Sequence, residues 1–460
     1  MPGHDPKPSG PSAPSPLSPV GIRPNGKDVA TWLGLYVGLA LLPLVVALLG
    51  DPPDARGFWI EFGVALGFVA LALLILEFAL TARFQRIAAP FGTDTLLHFH
   101  RQAGMSAFAF LLGHVLVLMI AHSPFLEFLD PRVLFTRAVA LWSVLGALAL
   151  LLGLALWRKP IGLAYQWWRA THALLAVFVL FVGTVHVIQV SHYGDDVWKK
   201  VIWVGMSVVA LSFLLHSRLL KPWRMRKKTY RIVDVQPERG ESWTLTLEPV
   251  GHAGMQFKAG QFAWLAVGPS PFVIDAHPFS FVSSAERPDE IRFTMKELGD
   301  WTATVGRIKP GTTAFLNGPY GAFTLAREAS GAVFIPGGIG VTPIMSMLRT
   351  MRDRGDRRPV TLIYAVKTWE GATFREELSS LEEALTLTTV YVVEKAPEGW
   401  QGETGFLTPE LLERHLPPDD PLLEYFLCGP GPMMDIVEPF LKKDRRIPTR
   451  RLNAERFDIA

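Results

Sequence analysis

The sequence predicts a multi-domain chain: a six-helix, all-α transmembrane bundle, then an antiparallel β-barrel, then an α/β domain on a parallel sheet. Three observations carry this. Hydrophobic residues make up 49% of the 460 residues but crowd into the first half. Beyond about residue 228 the pattern becomes short apolar and polar alternations broken by glycine and proline. From about residue 326 buried strands alternate with stretches of helical period.

Six stretches are long and apolar enough to cross a bilayer: about 29 to 50, 58 to 80, 96 to 121, 136 to 157, 165 to 190 and 197 to 220. They delimit a transmembrane domain at 29–222, ahead of the barrel at 226–325 and the α/β domain at 326–460. Residues 1–28, rich in proline and serine without an apolar run, read as a disordered cytoplasmic tail and not a cleaved signal. Arg83 and Arg86 follow the second span, Arg158 and Lys159 the fourth, and Arg218, Lys221, Arg224, Arg226, Lys227 and Lys228 the sixth. By the positive-inside rule these loops, the N-terminus and the C-terminal half face the cytoplasm of a plasma or inner membrane. Fewer cations, Arg132, Arg137, Lys199 and Lys200, fall on the outer side.

Composition removes several function classes. A net charge of +3 gives no global basis for binding nucleic acid. The single cysteine, Cys428, leaves no disulfide framework, cysteine zinc site or iron-sulfur cluster. No spaced carboxylates with glycine form a calcium loop. Redox chemistry must therefore use organic cofactors or haem.

Four histidines lie inside the apolar spans: His100 and His114 in the third, His172 and His186 in the fifth, each pair fourteen residues apart. Fourteen residues at about 100° each place two side chains about 40° apart on one helix face and about 21 Å apart along it. Each helix thus offers one imidazole toward either side of a bilayer core about 30 Å thick. Both helices run outward from the cytoplasm, so His100 meets His172 near the cytoplasmic face and His114 meets His186 near the outer one. A lone membrane histidine is as readily a packed, hydrogen-bonded side chain. The repeated spacing favours metal ligation: two stacked haems, b-type by expectation, each closed by two imidazoles and suited to electron transfer. His98, His122, His192 and His216 have no partner at this spacing and read as interfacial polar residues. Phe110 and Phe178 fall between the two levels, where they either bridge the haems or pack as ordinary membrane aromatics.

The barrel region, with strand-like runs at Tyr230 to Val235, Trp243 to Leu247 and Gln261 to Val267, contains His277-Pro278-Phe279-Ser280-Phe281. Lys296-Glu297-Leu298-Gly299-Asp300-Trp301-Thr302 and Gly318-Pro319-Tyr320-Gly321 follow. These segments resemble the flavin-binding barrel of the ferredoxin-NADP reductase superfamily, in the version found in ferric reductases and NADPH oxidases. The resemblance implies FAD, with Phe279 packed on the isoalloxazine and the Ser280 hydroxyl at the atom that accepts hydride. It places His277 and Pro278 along the diphosphate, aided by Lys296, Gly299 and Thr302.

In the α/β region the strand Ala332 to Pro336 leads into Gly337-Gly338-Ile339-Gly340-Val341-Thr342-Pro343 and a helix from Ile344 to Arg352. Glycines let a backbone approach a diphosphate, and a helix start supplies amide donors. Leu362-Ile363-Tyr364, Phe374 to Leu378 and Phe426-Leu427-Cys428-Gly429-Pro430 follow in the order of the same superfamily's nicotinamide domain. By that resemblance Gly338, Gly340 and Thr342 contact the dinucleotide, and Cys428, Gly429 and Pro430 lie beside the nicotinamide. Cys428 has an alternative as a buried apolar residue at a strand end. Glu455-Arg456-Phe457 is similar to the family's end, whose aromatic covers the flavin. Lys367 and Arg375 are either partners of a 2′-phosphate, favouring NADPH, or ordinary surface charges.

Joined, these parts predict a transmembrane oxidoreductase. Nicotinamide gives up electrons in pairs, haem iron takes them singly, and a flavin handles both. Electrons would pass from cytoplasmic NAD(P)H through FAD and two haems to a small acceptor outside. Ferric chelates are favoured: oxygen-reducing relatives carry a further histidine four residues after the outer ligand, where this chain has Leu118. His122 and Arg56 keep superoxide production open. A haem-free alternative makes the spans an anchor for a flavin reductase serving a protein partner, or a pore. In mid-membrane only Glu77, near the cytoplasmic end of its span, is a candidate charge for a pore.

Overall fold

A computed structural model describes residues 26–50, 53–82, 93–158, 160–190, 192–272 and 276–457. Arg83, Arg86, Lys159 and the tail up to residue 25, which carried part of the topology reading, lie outside the described residues.

Among the described residues six helices are long and apolar enough to cross a membrane: α1 (Gly26–Leu48), α2 (Phe58–Thr81), α3 (Thr93–Ala121), α4 (Phe135–Trp157), α5 (Tyr165–Val190) and α6 (Val197–Leu215). Helix α2 is the centre of the bundle and the most buried span, touching α1, α3, α5 and α6. Its glycines allow this. A Cβ on Gly63 would stand 2.8 Å from the Leu118 side chain, and one on Gly67 would stand 2.6 Å from the His114 ring. Small residues at such crossings let membrane helices approach closely. Helix α6 runs five residues beyond its expected end, through a π turn at His216–Leu220 into Lys221–Met225. Pro222 lacks the N–H that a regular helix needs, and the backbone widens just before it.

The barrel is a six-stranded antiparallel sheet of β1 (Thr229–Glu238), β2 (Ser242–Pro249), β3 (Phe262–Val267), β4 (Ala276–Ser280), β5 (Ile291–Lys296) and β6 (Thr313–Tyr320). Its order is β4-β3-β6-β1-β2-β5. Fully buried Ile232, Leu245, Leu247, Leu265, Phe281 and Phe293 fill it, as alternation along the strands dictates.

The α/β domain holds β7 (Gly331–Pro336), α7 (Val341–Arg354), β8 (Val360–Thr368), α8 (Arg375–Ala384), β9 (Leu387–Lys395), β10 (Glu403–Thr404), α9 (Pro409–His415), β11 (Leu423–Gly429), α10 (Gly431–Pro439) and β12 (Leu452–Arg456). All sheet pairs are parallel, in the order β10-β9-β8-β7-β11-β12. Every residue of β7 and β11 is buried, as befits central parallel strands covered on both faces. The chain leaves β7 toward β8 on one side and returns as β11 on the other. Such a switch point opens a crevice beyond the carboxyl ends of the two strands, where α/β sheets take their ligands.

Candidate functional site

In the bundle, α3 and α5 bring the four histidines together two by two. The ring centroids of His100 and His172 are 6.2 Å apart, and those of His114 and His186 are 6.4 Å apart. A metal–imidazole bond is about 2.0 Å and a ring centre lies about 1 Å behind its nitrogen, so two rings on opposite sides of one iron stand about 6 Å apart. Both pairs match the span that a haem with two axial imidazoles requires.

The second nitrogen of two of these rings is engaged by α2. His114 Nδ1 lies 2.8 Å from the Gly63 carbonyl oxygen. A carbonyl only accepts, so Nδ1 carries the proton and Nε2 keeps its lone pair for a metal. His100 Nδ1 abuts Glu77 Oε2, and the Glu77 side chain is buried. The sequence offered Glu77 only as a candidate pore charge near the end of its span. The structure makes it the neighbour of His100.

Around His172 the end of α4 and the start of α5 supply a cationic, aromatic rim. Trp168 lies 5.4 Å from the His172 ring, and Arg158 stands over Tyr165 and Trp168 at 5.5 and 5.7 Å. Arg169 stands over Tyr165 at 5.8 Å. The Trp168 Nε1 and His172 Nδ1 atoms are buried without a hydrogen-bond partner among the described residues. In the sequence, Arg158 was legible only as a topology signal. Phe110 and Phe178 are each 37% exposed. His98 and His122 are exposed, and His192 and His216 are half-buried.

Toward the end of α3, Leu118 fills the space against Gly63. Arg56 is bound to Glu61 through its amide (2.9 Å) and guanidinium (3.5 Å), and the Tyr193 hydroxyl donates to the other Glu61 oxygen at 2.5 Å. Of the two residues singled out for an oxygen-reducing site, Arg56 is thus engaged by Glu61, and His122 is exposed with its ring 5.0 Å from that of Phe125.

In the barrel, β4 carries the His-Pro-Phe-Ser segment in antiparallel register with β3, Ser280 opposite Phe262 and His277 opposite Leu265. Period-two alternation turns His277 and Phe279 to one face. There Trp301 joins them, its ring 4.6 Å from His277 and stacked 5.6 Å from Phe279. Three rings form one aromatic wall of a kind that suits a flat isoalloxazine. Trp301 is the member that motif reading quoted without a role. Ser280 is buried at the strand end, Pro278 is exposed and Lys296 is half-buried at the end of β5. The Thr302 hydroxyl accepts from the Leu298 and Gly299 amides at 2.9 Å and donates to the Gly299 carbonyl at 3.0 Å. Gly299 and Thr302 thus satisfy each other, a local turn that uses the groups expected to meet an anion.

At the switch point the glycine turn and the Cys428-Gly429-Pro430 turn press backbone to backbone. The Gly337 amide donates to the Cys428 carbonyl at 2.8 Å. A Cβ on Gly340 would collide with that same carbonyl, so glycine is required there. Gly338 is exposed with φ +54°, the one residue of the expected trio that opens to solvent. Gly340 is buried, and Thr342, 2% exposed, donates its hydroxyl to Ile339 at 3.1 Å. Beneath the turn the buried Tyr364 hydroxyl donates to the Gly338 carbonyl at 3.1 Å, and burial raises its pKa above the usual phenol value. Cys428 is fully buried in the core that also holds Val282 of the barrel. Pro430 is exposed beside buried Gly429. The Phe457 amide donates to the Gly429 carbonyl at 3.0 Å, which brings the last aromatic next to Cys428.

Arg349 on α7 joins the two soluble domains. Its guanidinium donates to both Glu377 carboxylate oxygens at 2.8 and 2.5 Å and to the Val282 carbonyl at 2.6 Å. Ser346 donates to the Ser283 carbonyl at 2.7 Å, and Thr350 accepts from the Ala285 amide at 2.9 Å. The segment that follows the flavin motif is therefore fixed to the helix that follows the glycine turn. On the membrane side Lys221 donates to the Tyr320 hydroxyl at 2.5 Å, and Tyr320 donates to Asn317 at 2.8 Å. Arg375 is engaged by Glu376 and the Trp369 carbonyl and stacks on the Trp369 ring, while Lys367 is exposed.

Comparison with known proteins matches three family models in order. Residues 66–183 match a ferric reductase like transmembrane component, 244–324 an FAD-binding domain and 334–439 an oxidoreductase NAD-binding domain. The reductase component of propane 2-monooxygenase from Rhodococcus jostii is 31% identical over 46% of this chain and 59% of its own length. NADH-cytochrome b5 reductase 2 from Scheffersomyces stipitis is 30% identical over 35% of this chain and 56% of its own. The chain thus spans little more than half the length of these relatives. Among solved structures, the FAD/NAD-binding domain of nitric oxide dioxygenase from Vibrio cholerae matches with TM-score 0.45 and 22% identity, over 50% of this chain and 98% of that one.

Proposed function

We propose, from the premise that the chain belongs to the ferric reductase-like membrane flavoproteins with fused FAD- and NAD-binding domains, that it carries electrons from cytoplasmic NAD(P)H to an acceptor outside the membrane. The observation that carries this reading is the pair of imidazole pairs, at 6.2 and 6.4 Å, in the bundle that the flavin module follows in the same chain. When bound, FAD supplies the junction between hydride and single electrons, and two bis-histidine haems supply a one-electron relay.

The chain's own residues do the positioning. His100 and His172 hold the inner haem, His114 and His186 the outer one, and Arg158 and Arg169 offer cations to the carboxylates of the inner haem. Phe279, with Trp301 stacked on it, would wall the isoalloxazine, with Ser280 at its reacting edge, and His277, Pro278, Lys296, Gly299 and Thr302 would border the diphosphate and the rest of the FAD. Gly338 lies at the dinucleotide diphosphate, and the closely packed Gly340 and Thr342 shape the turn that presents it. Cys428, Gly429, Pro430 and Phe457 border the nicotinamide. With the soluble domains in the cytoplasm, electrons move outward, and an inside-negative potential favours each by about 2.3 kcal/mol per 100 mV.

Ferric chelates are the preferred acceptor in this reading. Leu118 stands where a further histidine would, and Arg56 is committed to Glu61. The test is anaerobic reduction of the purified protein by NADPH, followed by oxygen or ferric citrate in separate runs. Ferric citrate is expected to reoxidise the haem faster. Superoxide formed at the rate of NADPH consumption, unaffected by the chelate, would reverse the assignment.

A further inference from the structure

We propose that the collar of cations at the end of α6 is a docking surface for anionic phospholipid headgroups in the leaflet where that helix ends. The proposal needs the six membrane spans but none of the haems. Arg218, Lys221, Arg224, Arg226, Lys227 and Lys228 follow one another there, and no acidic residue occurs between Ser217 and Val233. Helical rise decides their depth. Arg218 lies twenty-one residues beyond Val197, where α6 begins, which is about 32 Å along the axis and about the thickness of a bilayer's apolar core. The cations therefore fall at headgroup level.

The structure leaves this charge open. Arg218, Arg224, Arg226, Lys227 and Lys228 are exposed, and none of the five is in an ion pair among the described residues. Exposed Leu219, Leu220 and Trp223 alternate with them, and Lys227 Nζ stands 5.2 Å over the Trp223 ring. A surface that mixes cations with apolar and tryptophan side chains suits the boundary between headgroups and acyl chains, whereas a soluble polyanion would leave its apolar members in water. The flavin barrel shares the collar. Arg226 lies 5.7 Å over the ring of Phe272, in the chain between β3 and β4, and Lys221 donates to Tyr320 at the end of β6. Lipid phosphates gathered at this joint offset a run of like charge, so lipid charge bears on how firmly the barrel is seated.

Native mass spectrometry of the full chain, released from nanodiscs of mixed phosphatidylcholine and phosphatidylglycerol, tests this by counting the lipids that stay bound. The parent is expected to retain phosphatidylglycerol about fivefold over its share of the bilayer, the factor that one cation near a membrane surface supplies. A wash at about 1 M salt, where the screening length is about 3 Å, should reduce that excess. Arg224→Gln, Arg226→Gln, Lys227→Gln and Lys228→Gln together should bring it close to the bulk ratio. Arg224→Lys with Arg226→Lys keeps the charge and should keep the excess, which separates charge from local structure. The parent arms decide even where the glutamine variant fails to insert. Retention of the two lipids in their bulk ratio by the parent, or an excess that survives either the wash or the glutamine changes, would overturn the proposal. So would an oligoglutamate peptide that binds the parent through these cations while both lipids are held alike, which would assign the collar to an acidic protein.

Discussion

Changing His100 and His172 together to leucine is expected to halve the haem content and to stop electrons at the flavin. Leucine is apolar and keeps much of the side-chain volume, so the bundle should assemble, but both imidazoles of that pair are gone. The remaining haem, held by His114 and His186, then lies a full level farther from the electron source. NAD(P)H should still bleach the flavin, and a soluble dye should still take electrons from it. Reduction of the residual haem should fall to background. The complementary change at His114 and His186 should also halve the haem, yet leave the inner one reducible. Haem measured as its pyridine complex, with stopped-flow absorbance under anaerobic conditions, reads both quantities. Full haem retention after the first double change would contradict the ligand assignment.

Arg349→Met should loosen the soluble half by about 3 kcal/mol, toward the low end for breaking a buried ion pair because the Glu377 side chain is 31% exposed. The substitution strands the Glu377 carboxylate and the Val282 carbonyl together, and it releases the flavin strand from α7. Flavin reduction by NAD(P)H should slow as well, since the clamp fixes one cofactor site against the other. The effect carries a pH signature. Burial alone would raise the Glu377 pKa, but the Arg349 hydrogen bonds and charge outweigh it and hold the group below the ordinary glutamate value. A depressed folded-state pKa contributes stability above the unfolded value and loses it as pH falls through the folded one. The gap between parent and variant should therefore be full at neutral pH and close below the usual carboxylate range. Thermal release of FAD fluorescence from the full chain at several pH values measures it. Equal midpoints for the two proteins at neutral pH would remove the clamp from consideration.

Helix periodicity is local, so the six spans and the fourteen-residue histidine interval were legible in the sequence, and the interval implied the facing pairs once α3 and α5 ran in the same direction. Glu77 was legible only as a polar residue. Its partner depends on which face of α2 meets α3, and that is decided by the close approach at Gly63 and Gly67. Arg349 had no signal either, because a basic residue in an amphipathic helix reads as a solvated one until the barrel is docked against it. Thr302 and Thr342 show the opposite limit: their hydroxyls suited a ligand, and short-range geometry gave them turn carbonyls and amides. Trp301 stood inside a quoted motif, and its stacking on Phe279 follows from the chain's return beside β4.

The most direct test of transmembrane electron transfer is anaerobic addition of NADPH or NADH to the purified protein in lipid nanodiscs, with flavin and haem absorbance followed together. The expected result is bleaching of the flavin followed by reduced-haem bands that account for two haems per chain. Flavin bleaching with no haem signal, at any time or with either nucleotide, would contradict it.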